Sequence, residues 1–187
     1  MEKAELNKNM HLSEHFTLGE VTKTSVKTAN GRSATQGDAL LAKNIPSHVA
    51  IENLKNLCEN WLEDLRYSYN TLYPSCHLER SREISPRATL GRDDNPIIIT
   101  SGYRSPEVNR AVGGSPTSNH LTGCAVDIRC EGFEQALRYA NILLDISDGT
   151  KQDYDELFIE RSKQGRYWIH FAVRPKDNRR KTAFILT

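Results

Sequence analysis

The chain is 187 residues long, 37% hydrophobic and 26% charged, with a formal net charge of +1. That length suffices for one domain with its own core, and the near-neutral balance gives no electrostatic reason to expect nucleic acid or an anionic membrane as a partner. No apolar run approaches the ~20 residues that span a bilayer. The first ten residues lack the apolar stretch of a signal peptide, so the chain is expected to be cytoplasmic or released by another route.

Residues 1–15 are polar and expected to be frayed or loosely docked. Thr17 with Glu20 three positions on has the pattern of a capping box. Residues 22–45, rich in Thr, Ser, Asn and Gly, read as a loop. Ser47 is placed to cap the next helix, from Val49 to about Tyr69, where Ile51, Leu54, Leu57, Cys58, Trp61, Leu62 and Leu65 recur at helical spacing. Residues 70–95 are charged, polar and aperiodic. They read as a surface insertion, with His77 in solvent.

The β-branched run Ile97–Thr100 predicts a buried strand, followed by the turn Ser101-Gly102-Tyr103-Arg104. Ser105 and Pro106 open a short helix that ends at Gly113-Gly114. Alternation over Ala125–Arg129 predicts a strand with Ala125, Asp127 and Arg129 on one face. Phe133, Ala136, Leu137, Ala140, Leu143 and Leu144 mark a second amphipathic helix. Glu156–Glu160 and Tyr167–Val173 read as two strands joined at Ser162–Gly165, and Thr182–Leu186 as an edge strand. This order favours an α+β fold, a small single domain (residues 1–187) with a central, mostly antiparallel sheet flanked by helices.

The chemistry concentrates in Ser118-Asn119-His120-Leu121-Thr122-Gly123-Cys124-Ala125-Val126-Asp127 and in Trp168-Ile169-His170. Two His and one carboxylate make a three-ligand zinc set that leaves a position open for water. Trp168, His170 and Ala172 share a strand face, so His170 reaches the cleft of Asp127 if the two strands are neighbours. Arg104, projected from a strand end by the Gly102 turn, is the best cation for a developing oxyanion. Glu160 is the best general base, and Glu156, on the same face by period two, a weaker one. Taken singly, these residues also fit ordinary roles: a turn His, a capping Asp, a core His, a salt-bridge Arg, a solvated strand-end Glu. Of four Cys, Cys58 reads as a buried thiol. Cys124 and Cys130 flank Asp127 without the spacing of a zinc knuckle, and no disulfide framework is expected.

Together, Ser101-Gly102-Tyr103-Arg104-Ser105, Ser118-x-His120-x-x-Gly123-x-Ala125-x-Asp127 and Trp168-Ile169-His170 resemble the zinc D-Ala-D-Ala carboxypeptidase family of peptidoglycan peptidases. The similarity is to its short single-domain bacterial and phage members, and it extends over roughly residues 14–175. It implies a small α+β domain with Zn2+ held on the sheet by His120, Asp127 and His170. It also implies that Arg104 binds substrate and stabilises the transition state, and that Ser118 orients a ligand or contacts substrate. The implied substrates are peptidoglycan stem peptides, cut by a carboxypeptidase or an endopeptidase. In many members an acid stands three residues before the last His; here that position is Tyr167, and Leu157-Phe158-Ile159-Glu160 matches the strand that supplies a Glu in similar short members. A domain that holds zinc and binds cell-wall peptides without cutting them is the alternative this departure leaves open.

Overall fold

The computed structural model describes residues 7–24, 43–74 and 95–187. Its centre is a five-stranded sheet of β1 (Ile99–Ser101), β2 (Ala125–Cys130), β3 (Glu156–Arg161), β4 (Tyr167–Ala172) and β5 (Lys181–Leu186), in the spatial order β1-β2-β4-β3-β5. The pairs β1–β2, β2–β4 and β3–β4 are antiparallel, and β5 pairs with β3 in parallel. The expected α+β domain with a mostly antiparallel sheet is therefore what forms, with one parallel edge.

Among the described residues, five α-helices accompany the sheet: α1 (Leu18–Val21), α2 (His48–Leu57), α3 (Glu63–Leu72), α4 (Pro106–Ala111) and the long α5 (Phe133–Thr150) after β2. The caps read from sequence are present. Thr17 and Glu20 close a capping box, Ser47 Oγ accepts from Ala50 N–H, and Ser105 Oγ accepts from Val108 N–H ahead of Pro106. Each satisfies a backbone donor that a helix start leaves free. The single helix expected over 49–69 is α2 and α3 joined by a π-helical turn, Cys58–Leu62. Trp61 in that turn is fully buried, its ring centroid 5.1 Å from that of Phe171 on β4.

The pleat sorts the sheet into two faces. Val126 and Ile128 of β2, Ile169 and Phe171 of β4 and Leu157 of β3 point into one core with Leu54, Trp61 and Leu65 of the α2–α3 segment and Tyr139 and Leu143 of α5. The other face carries Asp127, His170 and Phe158, which are aligned in one cross-strand row.

One sequence expectation is resolved and one changes. Of the two states expected for the first residues, frayed or loosely docked, residues 7–15 take the docked one: Leu12 and Phe16 are buried, and Ser13 Oγ and His15 N–H both donate to Glu63 Oε1, at 2.6 and 2.7 Å. One buried Leu and one carboxylate partner give no periodic signal, so the sequence does not announce this contact. The segment 70–95 is also shorter than expected, because α3 runs through Leu72. Asn95 N–H donates to Asn70 Oδ1 at 2.7 Å, so the chain returns beside the end of α3. The remainder of that segment, with His77, and most of the loop expected over 22–45 lie outside the described residues. Asn44, at the end of that loop, is buried, donating to the carbonyls of Thr22 and Tyr103 and accepting from Ser105 N–H.

Candidate metal centre

The site is assembled from a loop and two central strands. His120 sits in a 3₁₀ turn, Asn119–Thr122, whose start is capped by Ser118: its Oγ accepts from His120 N–H at 3.3 Å. The turn closes at Gly123, in the left-handed region at φ 72°. A Cβ there would lie 2.4 Å from the carbonyl oxygen of Ala50, so glycine is required for both conformation and space. On the other side, Gly102 packs so closely on residue 21 that a Cβ would lie 1.9 Å from Val21 O. That approach brings the Gly102 carbonyl 2.7 Å from His120 Nδ1. A carbonyl only accepts, so Nδ1 carries the proton and Nε2 presents its lone pair.

Asp127 and His170 are register partners on β2 and β4. His120 Nε2 lies 3.3 Å and His170 Nδ1 2.9 Å from the same oxygen, Asp127 Oδ1. One ligand atom from each of the three residues falls within 4.8 Å of the other two, and this is the only such cluster of His, Cys, Asp or Glu among the described residues. Cys124 and Cys130 are buried and take no part in it. Two imidazole nitrogens and a carboxylate oxygen, converging from separate elements, form a donor set that could hold a metal ion.

The surroundings fix these groups. Arg104 donates from Nη2 to Asp127 Oδ2 at 2.6 Å and from Nε to Ser101 Oγ at 2.9 Å, while its own N–H bonds to His120 O at 3.0 Å. The far carboxylate oxygen of Asp127 is thus held, leaving Oδ1 toward the histidines. Burial works to raise the Asp127 carboxyl, but His120 and His170 outweigh it and hold it well below the usual range. Burial lowers His120 against the pull of Asp127 and keeps it neutral. It also disfavours charge on His170, yet Asp127 and Glu156 together hold that ring up at about 9.

Glu156 lies on the β3 face expected for it, but its carboxylate is fully engaged. It is no free base: Oε2 lies 3.4 Å from His170 Nε2 and accepts from Asn119 Nδ2 at 2.9 Å, and Oε1 accepts from Arg179 Nη2 at 2.7 Å. A carboxylate on the outer nitrogen of a ligating His sets its tautomer and orientation. Asn119, Asp155 and Arg179 belong to the same network and escaped the sequence reading. The acidic pair Asp155-Glu156 at a strand start and the pair Arg179-Arg180 were the available signals, and neither specifies a metal site.

Glu160 lies on the same face of β3 as Glu156, opposite Trp168 of β4, one cross-strand row from His170. Burial raises its carboxyl above the usual value, and it makes no hydrogen bond or ion pair among the described residues. Tyr167 points to the other face, where its ring meets that of Phe133 at 5.6 Å between centroids. With β4 regular through this point, position 167 delivers no group to the cluster of His120, Asp127 and His170.

Among the described residues, no helix is long and apolar enough to cross a membrane. A comparison with curated proteins finds no match. Residues 85–154, the stretch that holds Arg104, Ser118, His120 and Asp127 and stops short of Glu156, Glu160 and His170, match the model of the Peptidase M15 family.

Proposed function

We propose that the chain is a zinc metallopeptidase that hydrolyses a peptide bond beside a D-amino acid in peptidoglycan stem peptides, as a D,D-carboxypeptidase or a murein endopeptidase. The observation that carries this reading is the convergence of His120, Asp127 and His170, within 4.8 Å of one another, inside the motif order that resembles the zinc carboxypeptidase family. Zn2+ held by these three residues would acidify a water molecule and polarise the scissile carbonyl.

Glu160 accepts the proton of the attacking water and returns it to the departing amine. Its burial-raised pKa brings it closer to the range in which a base works at neutral pH. Arg104 carries more N–H donors than Ser101 and Asp127 occupy, and the remainder stabilise the oxyanion as it develops. Ser118 contributes by holding the turn that presents His120.

The orientation of Tyr167 favours a second reading, a metal-holding module that binds stem peptides and leaves them intact. The two separate on a synthetic stem pentapeptide and a crosslinked muropeptide, each assayed before and after treatment with a zinc chelator. Cleavage lost on chelation and restored by Zn2+ is expected. Cleavage indifferent to the metal would overturn the proposal, and zinc binding with both substrates intact would favour the module.

A further inference from the structure

Behind the His120–Asp127–His170 cluster lies a network whose charged members, Asp155, Glu156, Arg174 and Arg179, all fall beyond the matched stretch. Asp155, at the start of β3, is fully buried. It accepts from Arg179 Nε at 2.7 Å and Nη2 at 2.5 Å, and from Asn119 Nδ2 at 2.8 Å; Arg174 Nε lies 3.0 Å away. Arg179 also reaches Glu156 Oε1 at 2.7 Å, so one guanidinium bridges two adjacent carboxylates. The other oxygen of Glu156 faces His170 Nε2, and Asn119, which joins both carboxylates, precedes His120 in the chain.

We infer that Arg179 is a positioning residue for the metal centre: by clamping Glu156 against the buried Asp155 it aligns the carboxylate on His170 Nε2 and so presents Nδ1 to the metal. The geometry of a guanidinium suits this task, because its planar fork can engage two carboxylates at fixed directions, as a lysine ammonium cannot. Without the clamp, Glu156 keeps, among the described residues, only Asn119 and the His170 ring itself as partners, and His170 loses the fixed carboxylate that selects its tautomer. The loop after β4 then forms a third wall of the site, beyond the two ligand-bearing motifs.

The inference rests on reading His120, Asp127 and His170 as metal ligands, and its test separates the two claims. Zn2+ affinity is measured by competition with a chromophoric chelator for the wild-type chain and for Arg179→Ala, Glu156→Ala and the double variant, with the thermal midpoint of each metal-free protein recorded beside it. Loss of a partner outside the ligand set typically weakens metal binding by about 10–100-fold, and about tenfold is expected for Arg179→Ala. In the Glu156→Ala background the same change should leave affinity nearly untouched, since the group through which Arg179 acts is gone.

Equal losses in both backgrounds would overturn the inference, because Arg179 would then act through general stability. So would unchanged affinity in Arg179→Ala. If that variant does not fold, Arg179→Lys replaces it in the cycle: it keeps a charge beside Asp155 and is expected to weaken Zn2+ binding, again only when Glu156 is present. A wild-type chain that binds no Zn2+ would remove both this inference and the metal reading.

Discussion

Asp127 and His170 face each other across β2 and β4, and the carboxylate oxygen that lies 2.9 Å from His170 Nδ1 lies also 3.3 Å from His120 Nε2. The two histidines reach it in different electrostatic states. His120 is kept neutral by burial, with its Nδ1 proton on a carbonyl, whereas His170 stands between two carboxylates and holds its proton up to about 9.

A metal ion must therefore displace the His170 proton. Below pH 9 apparent Zn2+ affinity should rise by about tenfold per pH unit, one proton being released per ion bound, and it should level off above about 9. The metal-free protein should behave oppositely. A histidine whose folded pKa lies above its ordinary 6.5 adds stability that is complete below 6.5 and is lost as pH rises through about 9. Calorimetric titration in buffers of different ionisation heat counts the released proton, and thermal melts with and without metal check the second half. An affinity flat between pH 6 and 9 would contradict the assignment.

Glu160 and Glu156 should separate in mutation. Glu160→Gln removes the proposed base and leaves the ligand cluster intact, so kcat should fall by about 10²–10⁴-fold with Zn2+ affinity unchanged. Paired turnover and metal-competition measurements decide it. Full turnover by Glu160→Gln would remove the residue from the mechanism.

Gly123→Ala should strike both the fold and the site. Holding a non-glycine residue in that strained region costs roughly 1–3 kcal/mol, and the added Cβ meets the carbonyl of Ala50. Lower stability in denaturant melts is expected together with weaker Zn2+ binding, since His120 lies three residues upstream on the same turn. Unchanged Zn2+ affinity would mean that the turn does not control the ligand.

Glu63 ties the first docked segment to the helical layer. Burial raises its carboxyl, but bonds from Ser13 and His15 outweigh this and hold it below the ordinary value. A depressed carboxyl contributes stability that is present above its unfolded pKa and is lost as pH falls through the folded one. Glu63→Gln should cost about 1–2 kcal/mol at neutral pH, with the difference from wild type vanishing in acid. Urea melts at pH 7 and pH 3 test this, and an equal difference at both would contradict it.

The cluster of His120, Asp127 and His170 was legible because its members sit in patterned surroundings. Alternation alone puts Asp127 and His170 each on a definite strand face, and the strong caps at Thr17, Ser47 and Ser105 fix where helices start. What stayed hidden depends on register and on distant contacts. That Glu156 meets His170 while Glu160 stands free follows from how β3 aligns with β4, which period two does not specify. The hold of Arg104 on Asp127 and of Arg179 on Asp155 and Glu156 joins residues far apart in the chain, and isolated charges on loops carry no periodicity. The π-helical turn at Cys58–Leu62 is a local change of hydrogen bonding that leaves the apolar spacing helical.

The most direct test of the account is mass spectrometry of the products formed when zinc-loaded protein is incubated with purified peptidoglycan and with a free stem pentapeptide, beside His120→Ala. The account predicts peptide products from at least one substrate and none from the variant: loss of terminal D-Ala from the pentapeptide for a carboxypeptidase, release of stem peptides from the wall for an endopeptidase. Zinc bound to the wild-type chain with no product from either substrate would contradict it.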